Sequence, residues 1–367
     1  MRVLFAGGGT GGHLYPGLAI ARAMVRIEPT VDPFFIGARR GIEKDVLPKT
    51  EFPHELLDLH PLYRSRPWEN WKTLRGAFSS WREIGRIANV SPPSVVVGTG
   101  GYASGLALAY ARMHGIPYIV QEQNSFPGLT TRFFARHAAQ IHLGFPEAAL
   151  LLKPGRNTRV MDSGNPIEPP PAMPIDRPTA RAQWDFPRDG GVVMLIYGGS
   201  QGSKAINDVV AVWIRKGIPS GLYVIWSTGQ KTYDDYAALA SDRVRITPYL
   251  SPVAHAYAAA DFALSRGGAM ATAELCAWGI PPIIVPLPTA AADHQTANAR
   301  ALSAAGAGEM ILQSALTVET LDTAVRRIVE NPNVLIERSR AVSARARPEA
   351  ADTIARAILS LASRKIS

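Results

Sequence analysis

Short apolar runs recur along the chain, and a turn rich in glycine or polar residues follows most of them. In the first half these runs are Val3–Ala6, Pro33–Ile36, Pro93–Val97 and Pro117–Val120. In the second half they are Gly191–Ile196, Leu222–Trp226, Val244–Ile246, Asp261–Ser265 and Pro282–Leu287. Such runs are typical of buried strands, and helical patterns separate many of them. The pattern predicts an α/β protein with two halves, each built on a parallel sheet.

The clearest strand–turn–helix unit lies in the second half. The strand Asp261–Ser265 is followed by a turn at Gly267 and Gly268, and then by a helix predicted at Met270–Trp278 that Gly279 ends. Such a turn presents free backbone N–H groups and the positive end of the helix dipole to an anion. It therefore favours a phosphate site, although an ordinary α/β turn has the same pattern.

Glu274 lies about a turn and a half into this helix, counted from Gly268. A carboxylate so placed can accept hydrogen bonds from ribose hydroxyls beside a bound phosphate. The alternative is a surface glutamate with no ligand. A second glycine turn, Gly198–Ser203, precedes the helix predicted at Lys204–Trp213 and places a further loop at a strand end.

The first half opens on a glycine-rich loop, Gly7–Gly12, between the first strand and a helix predicted at Gly17–Val25. The loop matches the G-x-G-x-x-G fingerprint of dinucleotide-binding proteins, in the required context of strand and helix. The next strand leads to Arg39 and Arg40, which could bind the 2′-phosphate of NADP. An NADP-dependent oxidoreductase is therefore a rival interpretation.

His13 follows the loop where the helix begins. Histidine titrates near neutral pH, which suits a general base, and a dinucleotide site has no need of a histidine at this point. The alternative is a polar capping residue. His13 is thus the candidate that distinguishes a catalytic site from a simple cofactor loop.

Two more polar segments follow strands of the first half. Gly98–Gly105 comes after the strand Pro93–Val97, and Gln121–Asn124 comes after Pro117–Val120. Ligands of open parallel sheets bind at the edge formed by the carboxyl ends of the strands. Together with the loop Gly7–Gly12, these segments predict a binding site at that edge.

Composition narrows the class of protein. The chain has 367 residues, of which 47% are hydrophobic and 19% charged, so it is globular and long enough for two domains. The only cysteine, Cys276, is predicted to pack in a core and suits a reducing cytoplasm. No metal-ligand cluster and no nucleic-acid-binding motif is recognisable. No apolar run reaches ~18 residues, and the glycines after Ala6 exclude a signal peptide.

Charge adds an expectation about partners. The net charge of +9 and the pI near 9.8 favour an anionic partner such as an anionic lipid or a phosphorylated small molecule. Within residues 68 to 86, Trp71, Leu74, Phe78 and Trp81 recur at helical spacing with basic residues beside them. Such a helix can lie on an anionic bilayer surface. The commoner alternative is that its aromatic stripe packs on the protein's own core.

A set of motifs occurs in one order along nearly the whole chain. They are Gly8–His13, Gly100–Gly105, Glu122–Asn124, Gly164–Pro166, Gly198–Gly202 and Ala269–Glu274. Together they resemble the MurG family, the N-acetylglucosaminyltransferases of peptidoglycan synthesis. The resemblance implies the GT-B fold, in which two Rossmann-like α/β domains face each other across a deep cleft. We place an acceptor-side and membrane-side domain at residues 1–165, a UDP-GlcNAc-binding domain at 166–345, and at 346–367 a C-terminal helix that packs back towards the first domain.

For function, the resemblance implies transfer of N-acetylglucosamine from UDP-N-acetylglucosamine (UDP-GlcNAc) to the C4 hydroxyl of the N-acetylmuramyl pentapeptide of lipid I, which gives lipid II. The transfer inverts the anomeric centre and uses no catalytic metal or other cofactor. Members of the family act peripherally at the cytoplasmic face of the cell membrane, so an anionic membrane surface is an expected partner and nucleic acid is not. A glycosyltransferase with another lipid acceptor, such as diacylglycerol, is the nearest alternative.

The resemblance also assigns roles to residues of the first half. His13 would be the catalytic base, with Glu122 as a second catalytic side chain and Tyr102 beside it on the acceptor side. The residues expected to line the donor sugar and the acceptor are Thr10, Gly11, Gly12 and Asn124, the last as a hydrogen-bond partner of N-acetylglucosamine.

In the second half, the resemblance implies a nucleotide site. Ser200 would contact the diphosphate, the backbone at Leu250 would bind the uracil, and Gln295 would contact the donor sugar. Phosphate and ribose would be held by Ala269, Met270, Ala271, Thr272, Ala273 and Glu274, with Glu274 on the ribose hydroxyls.

Two positions depart from the family pattern. Glu168 stands where an arginine is common, and an acid cannot replace an arginine beside a diphosphate. Thr296 follows Gln295 where a second glutamine is often found. One phosphate contact and one sugar contact are therefore not expected from these two positions.

Overall fold

The computed structural model describes residues 1–60, 70–199 and 201–363. The chain forms two compact units, which we call the first and the second unit. The first unit comprises Met1–Glu168 and Pro348–Ser367, and the second comprises Pro169–Arg347. Ser200 and residues 68 and 69, on which predictions were made above, lie outside the described residues, as do the side chains of Trp71 and Leu74.

Parallel strands form a seven-stranded sheet in the first unit, in the order β3-β2-β1-β4-β5-β6-β7. The strands are β1 Arg2–Gly7, β2 Asp32–Ala38, β3 His54–Leu57, β4 Val95–Gly100, β5 Tyr118–Glu122, β6 Gln140–Leu143 and β7 Arg159–Asp162. The helices before the second unit are α1 Gly11–Ile27, α2 Glu43–Val46, α3 Asn70–Val90, α4 Gly101–Met113 and α5 Leu129–Phe134. Because β1, β4 and β5 are neighbours, the loops after them meet at one edge of the sheet.

The second unit has a six-stranded parallel sheet in the order β10-β9-β8-β11-β12-β13. Its strands are β8 Val192–Tyr197, β9 Leu222–Ser227, β10 Val244–Thr247, β11 Phe262–Ser265, β12 Pro282–Ile284 and β13 Glu309–Met310. Its helices are α6 Arg177–Ala182, α7 Lys204–Lys216, α8 Tyr233–Tyr236, α9 Val253–Ala259, α10 Ala269–Ala277, α11 His294–Ala304, α12 Val318–Val329 and α13 Pro332–Ala344. The last helix, α14 Ala350–Ser363, belongs to the first unit. Since β8 and β11 pair directly, the loops after these two strands are also adjacent.

Helices cover both faces of the first sheet, which explains why its central strands are apolar at almost every position. Leu4 of β1 packs on one face in a cluster with Leu108 of α4. Phe5 packs on the other face in a cluster with Leu18 of α1 and Ile354 of α14. The C-terminal helix therefore completes the hydrophobic core of the first unit.

The predicted α/β architecture with two parallel sheets is confirmed, and three local predictions are corrected. Helix α1 begins at Gly11 and not at Gly17, because buried side chains such as Leu14 hold its first turns although Pro16 lies within it. Strand β12 ends at Ile284, since a proline shortly afterwards has no N–H to continue the ladder. Strand β4 begins at Val95 and extends to Gly100, so it includes the first residues of the segment Gly98–Gly105.

The aromatic stretch forms helix α3, as its periodicity predicts. Trp81 packs edge-on against Tyr110, with ring centroids 5.2 Å apart, and so contributes to the core of the first unit. Phe78, in contrast, is 68% exposed. Of the aromatic residues described in this helix, Trp81 therefore packs on the core, whereas Phe78 faces the solvent.

Candidate functional site

The glycine loop after β1 is folded around a buried carboxylate. Glu43 is fully buried, and its Oε1 accepts hydrogen bonds from the backbone N–H groups of Gly9 at 2.9 Å and Ala38 at 3.1 Å. A Cβ atom at Gly8 would lie 1.7 Å from Glu43 Oε1, and one at Gly41 would lie 1.9 Å from Oε2. These glycines are needed because no side chain fits between the loop and the carboxylate.

This arrangement argues against the dinucleotide interpretation of the loop. A dinucleotide fingerprint uses loop N–H groups to bind a pyrophosphate. Here the N–H of Gly9 already donates to Glu43, and a buried carboxylate beside the loop would repel a second anion. The NADP-dependent oxidoreductase is therefore not supported by the geometry of the first unit.

His13 is held between the loops that follow β1 and β4. Its Nδ1 lies 3.0 Å from Oε1 of Gln123, and its backbone carbonyl accepts a 2.7 Å hydrogen bond from Thr99 Oγ1. Gly100 has φ of +99°, and a Cβ atom there would lie 2.9 Å from His13 Nδ1. Gly101, with φ of +75°, likewise leaves room for the imidazole. The second glycine loop thus fits closely around the candidate base.

Glu122, the second predicted catalytic residue, organises the loop that follows β5. It is buried, and its Oε1 accepts from the backbone N–H of Asn124 at 3.1 Å. Its Oε2 accepts from the N–H of Gly128 at 3.0 Å and from Thr131 Oγ1 at 2.6 Å. These bonds give Glu122 a structural role in the loop, while its catalytic role stays a prediction.

The other predicted residues of the first unit lie around His13. Thr10 is the N-cap residue of α1, and Gly11 and Gly12 form the first turn of that helix. Tyr102 packs over the first glycine loop, because a Cβ atom at Gly9 would lie 2.9 Å from its ring. The structure therefore brings the predicted acceptor-side residues together at one edge of the sheet, as the strand order requires.

In the second unit, the loop after β11 leads into α10, whose N-cap is Gly268. An ideal Cβ atom at Gly268 would meet no heavy atom within 4 Å, so the start of the helix is open in front of this residue. Gly199, in the adjacent loop after β8, also has open space at its Cβ position. The first turn of an α-helix has backbone N–H groups without acceptors inside the helix. The two loops thus present a candidate anion site.

The residues predicted to hold phosphate and ribose all lie on α10. Ala269 is buried at its start, and Thr272 is buried with its Oγ1 donating to the Gly268 carbonyl at 3.0 Å. The half-buried members of this set are Met270, Ala271, Ala273 and Glu274. Cys276, further along the helix, is buried, and burial raises the pKa of its thiol to about 12, which fits a packing role.

Glu274 is fixed from within the second unit by a tyrosine. Tyr257 of α9 donates its hydroxyl to Glu274 Oε2 at 2.7 Å. Burial, together with the nearby Tyr197 and Glu274, raises the pKa of Tyr257 far above its usual range, so the hydroxyl remains a donor. One oxygen of the Glu274 carboxylate is therefore oriented by the protein itself.

Arg266 connects the two loops of the second unit, and no sequence pattern singles it out. Its guanidinium is buried and donates to Ser203 Oγ at 2.7 Å, to Gln313 Oε1 at 2.7 Å and to the carbonyl of Val285 at 3.1 Å. Burial lowers its pKa, and the partners recorded for it within the described part of the chain are a hydroxyl, a side-chain amide and two backbone carbonyls, with no carboxylate among them. A cation without a carboxylate partner at this place adds positive potential beside the candidate anion site.

Two further predicted contacts have internal partners. Gln295 accepts a 3.0 Å hydrogen bond from the backbone N–H of Leu287 with its side-chain oxygen, which fixes the amide. Gln295 also lies close to the turn before α10, since a Cβ atom at Gly267 would lie 2.6 Å from the Gln295 carbonyl. Leu250 is half-buried in the loop after β10. The roles of both residues in ligand binding stay predictions.

Replacing Gly268 with alanine is expected to weaken nucleotide binding without loss of stability. Its backbone, at φ −68° and ψ 136°, suits any residue, and the added methyl group meets open space. A phosphate against the helix start would collide with that methyl group, so we expect about a tenfold weaker affinity for UDP. Calorimetric titration with UDP measures the effect, and Gly85→Ala, within α3, is the matched control. Unchanged affinity would place the anion elsewhere.

Among residues 1–60, 70–199 and 201–363, no three histidine, cysteine, aspartate or glutamate side chains are arranged to hold a metal ion. In the same part of the chain, every helix is too short or too polar to cross a bilayer.

Comparison with known proteins agrees with this architecture. Residues 3–143 match the glycosyltransferase family 28 N-terminal domain, and residues 193–354 match the glycosyltransferase family 28 C-terminal domain. The UDP-N-acetylglucosamine--N-acetylmuramyl-(pentapeptide) pyrophosphoryl-undecaprenol N-acetylglucosamine transferase of Salinibacter ruber is 38% identical over 99% of this chain and 97% of its own length. The protein of the same name from Desulforamulus reducens is 34% identical over 98% of each chain.

Solved structures show the same fold. The crystal structure of Acinetobacter baumannii MurG has a TM-score of 0.78 and 28% identity, and the match covers 98% of this chain and 99% of that one. A glycotransferase of kitacinnamycin has a TM-score of 0.68 at 16% identity, covering 97% and 98%, and supports the fold alone. The predicted GT-B class, with two Rossmann-like domains, is confirmed.

Proposed function

Because this chain belongs to glycosyltransferase family 28, we propose that it transfers N-acetylglucosamine from UDP-GlcNAc to the C4 hydroxyl of lipid I and so makes lipid II. The donor and the acceptor are those in the names of its relatives. The observation that carries the proposal is the position of His13. His13 lies in the first turn of α1 and is oriented by a buried amide, as a general base requires, whereas a nucleotide-binding loop alone does not need such a histidine.

We propose a single displacement at the anomeric carbon. The bond between C1 of N-acetylglucosamine and the oxygen of UDP breaks, and the acceptor C4 oxygen forms a new bond to C1 from the opposite face. His13 accepts the proton of the C4 hydroxyl, and UDP leaves with the electron pair. The transition state resembles an oxocarbenium ion, as in other glycosyl transfers. The product therefore has the opposite anomeric configuration to the donor.

The reaction also requires stabilisation of the negative charge that develops on the departing UDP. The N-terminus of α10 and the loop after β8 offer backbone N–H groups, and Arg266 contributes a buried positive charge behind them. Preorganised donors of this kind stabilise developing negative charge, and one lost donor costs about 3 kcal/mol in other enzymes. Glu274 would hold the ribose, and Asn124, Leu250 and Gln295 would complete the donor contacts.

Transfer can be tested with labelled UDP-GlcNAc and a soluble lipid I analogue. We expect a disaccharide product of inverted configuration, detected by chromatography and NMR, together with an equal amount of UDP. Diacylglycerol as an acceptor tests the nearest alternative. Turnover with diacylglycerol but not with the lipid I analogue would assign the chain to another lipid glycosyltransferase, and no turnover with either would reject the proposal.

The acceptor is lipid-linked, so we also propose that the first unit binds peripherally to the cytoplasmic face of the cell membrane. Phe133 of α5 is 69% exposed and Phe78 of α3 is 68% exposed, beside basic side chains such as Arg132 and Arg75. Helices α3 and α5 both pack against α4. Exposed aromatic rings with neighbouring arginines are suited to the interface of an anionic bilayer.

Phe133→Ser is expected to lower binding to anionic vesicles. Full burial of a phenylalanine side chain contributes about 1.5–3 kcal/mol, so partial insertion should account for about a threefold to tenfold difference in partitioning. Sedimentation with vesicles of phosphatidylglycerol measures the effect. Met173→Ser is the matched control, since Met173 is exposed but lies in the second unit. If the two variants lose vesicle binding equally, the assignment of membrane contact to the first unit is contradicted.

A further inference from the structure

The candidate base is connected to a row of buried amide side chains. The side-chain oxygen of Gln123 lies within hydrogen-bond distance of His13 Nδ1. Gln123 is in turn hydrogen-bonded to Asn165, and Asn165 to Gln121. Gln121 is 0% exposed, and Gln123 and Asn165 are 2% exposed. Uncharged amides that are buried to this degree are costly unless each is hydrogen-bonded. Packing alone therefore does not explain why three amide side chains are buried together here.

The hydrogen bonds of Gln123 fix the orientation of its amide. Its Nε2 lies 2.7 Å from the carbonyl oxygen of Thr99 and 3.2 Å from that of Gln121. Backbone carbonyls only accept hydrogen bonds, so the group facing them must be the NH₂ end. If the amide were flipped, its oxygen would face both carbonyl oxygens and no hydrogen bond could form with either. Consequently the oxygen of Gln123 faces His13.

The rest of the row holds Gln123 in place. Asn165 donates its Nδ2 to the backbone carbonyl of Gln123 at 3.0 Å. Its Oδ1 accepts from Gln121 Nε2 at 3.3 Å, and a Cβ atom at Gly144 would lie 2.2 Å from that oxygen. Gly144 is therefore needed for Asn165 to reach its partners. Gln123 is therefore held by hydrogen bonds of its side-chain amide and of its backbone carbonyl.

From this geometry we propose that Gln123 is a positioning residue that sets the tautomer of His13. An oxygen at 3.0 Å from Nδ1 accepts a hydrogen bond, so Nδ1 carries the proton in the neutral imidazole. Nε2 then carries the lone pair and is the atom that takes the proton of the acceptor hydroxyl. The inference rests on the proposed function for this last step, but the tautomer itself does not depend on it.

The tautomer can be read directly from ¹⁵N chemical shifts of the imidazole in the full chain at a pH where His13 is neutral. The His13 signals are assigned by their loss in His13→Asn. We expect the Nδ1–H form in the wild-type protein. The Nε2–H form would overturn the proposal, and this result needs no variant of Gln123 and no activity.

Two variants separate positioning from simple structural support. Gln123→Met removes the acceptor oxygen, and we expect a mixture of tautomers and a kcat lowered by about 10- to 100-fold, the range known for partners that orient metal-binding histidines in other proteins. The affinity for UDP should be unchanged. Gln123→Glu keeps an oxygen opposite Nδ1–H, but its second oxygen faces the carbonyls of Thr99 and Gln121, so the tautomer should be restored relative to Gln123→Met only while the carboxyl is protonated and donates to them.

An unchanged tautomer and unchanged kcat in a folded Gln123→Met protein would overturn the proposal. If the wild-type chain has the Nδ1–H tautomer but transfers no sugar, the positioning of His13 is supported and the proposed function fails. The two ideas can therefore fail separately.

Discussion

Replacing His13 with alanine is expected to lower kcat by about 10²–10⁴, the usual contribution of a general base. The acceptor hydroxyl is a poor nucleophile while it keeps its proton, so the loss falls on the chemical step. His13 belongs to the first unit, whereas the candidate nucleotide site belongs to the second. Binding of UDP should therefore be unchanged, and steady-state kinetics together with calorimetry separate the two effects.

His137→Ala is the matched control for this variant, because His137 is exposed and lies in the same unit. It should have the kcat of the unaltered protein. A His13→Ala protein with nearly normal turnover would reject His13 as the base. Glu122 would then be the next candidate, although its carboxylate is already occupied by Gly128, Thr131 and Asn124.

The Glu274→Ala variant is expected to bind UDP about 10- to 100-fold more weakly. Hydrogen bonds to a charged group contribute about 1.5–3 kcal/mol each, and the ribose hydroxyls would lose such an acceptor. The substitution also removes the internal partner of the Tyr257 hydroxyl, so a general loss of stability must be distinguished from a lost ligand contact. Calorimetric titration gives the affinity, and thermal unfolding without ligand gives the stability.

Tyr257→Phe serves as the control for this second effect. It breaks the bond between Tyr257 and Glu274 but leaves the carboxylate in place. We expect this variant to bind UDP with nearly normal affinity, while Glu274→Ala does not. If both variants lose affinity equally, the effect comes from the packing of α9 on α10, and Glu274 has no direct contact with ribose.

Much of the fold could be predicted because both sheets are parallel and covered on both faces. Apolar runs such as Val3–Ala6 and Pro117–Val120 correspond to central strands. Since the loops after parallel strands lie at one edge of the sheet, the gathering of Gly7–Gly12 and Gly98–Gly105 at that edge could be predicted. That β1 and β4 are direct neighbours, which brings His13 to Gly100, could not be predicted from the sequence. The start of α1 was missed because glycines and Pro16 locally disfavour a helix that tertiary packing nevertheless stabilises.

The missed residues of the site depend on long-range contacts. Glu43 lies far along the chain from the glycine loop that surrounds it, and Arg266 reaches three separate segments of the second unit. The roles of such side chains depend on which loops the fold brings together, and hydrophobic periodicity carries no information about this. Gln123 was seen as part of a polar motif, but only its distances to Thr99 and His13 reveal which end of its amide faces the imidazole.

The central claim is that backbone amides at the start of α10 hold the diphosphate of a uridine nucleotide, with Glu274 on its ribose. A structure of the full chain with UDP tests this claim most directly. We expect the diphosphate against Gly268 and Ala269 and the ribose hydroxyls within hydrogen-bond distance of the Glu274 carboxylate. Uridine bound away from α10 would contradict the account.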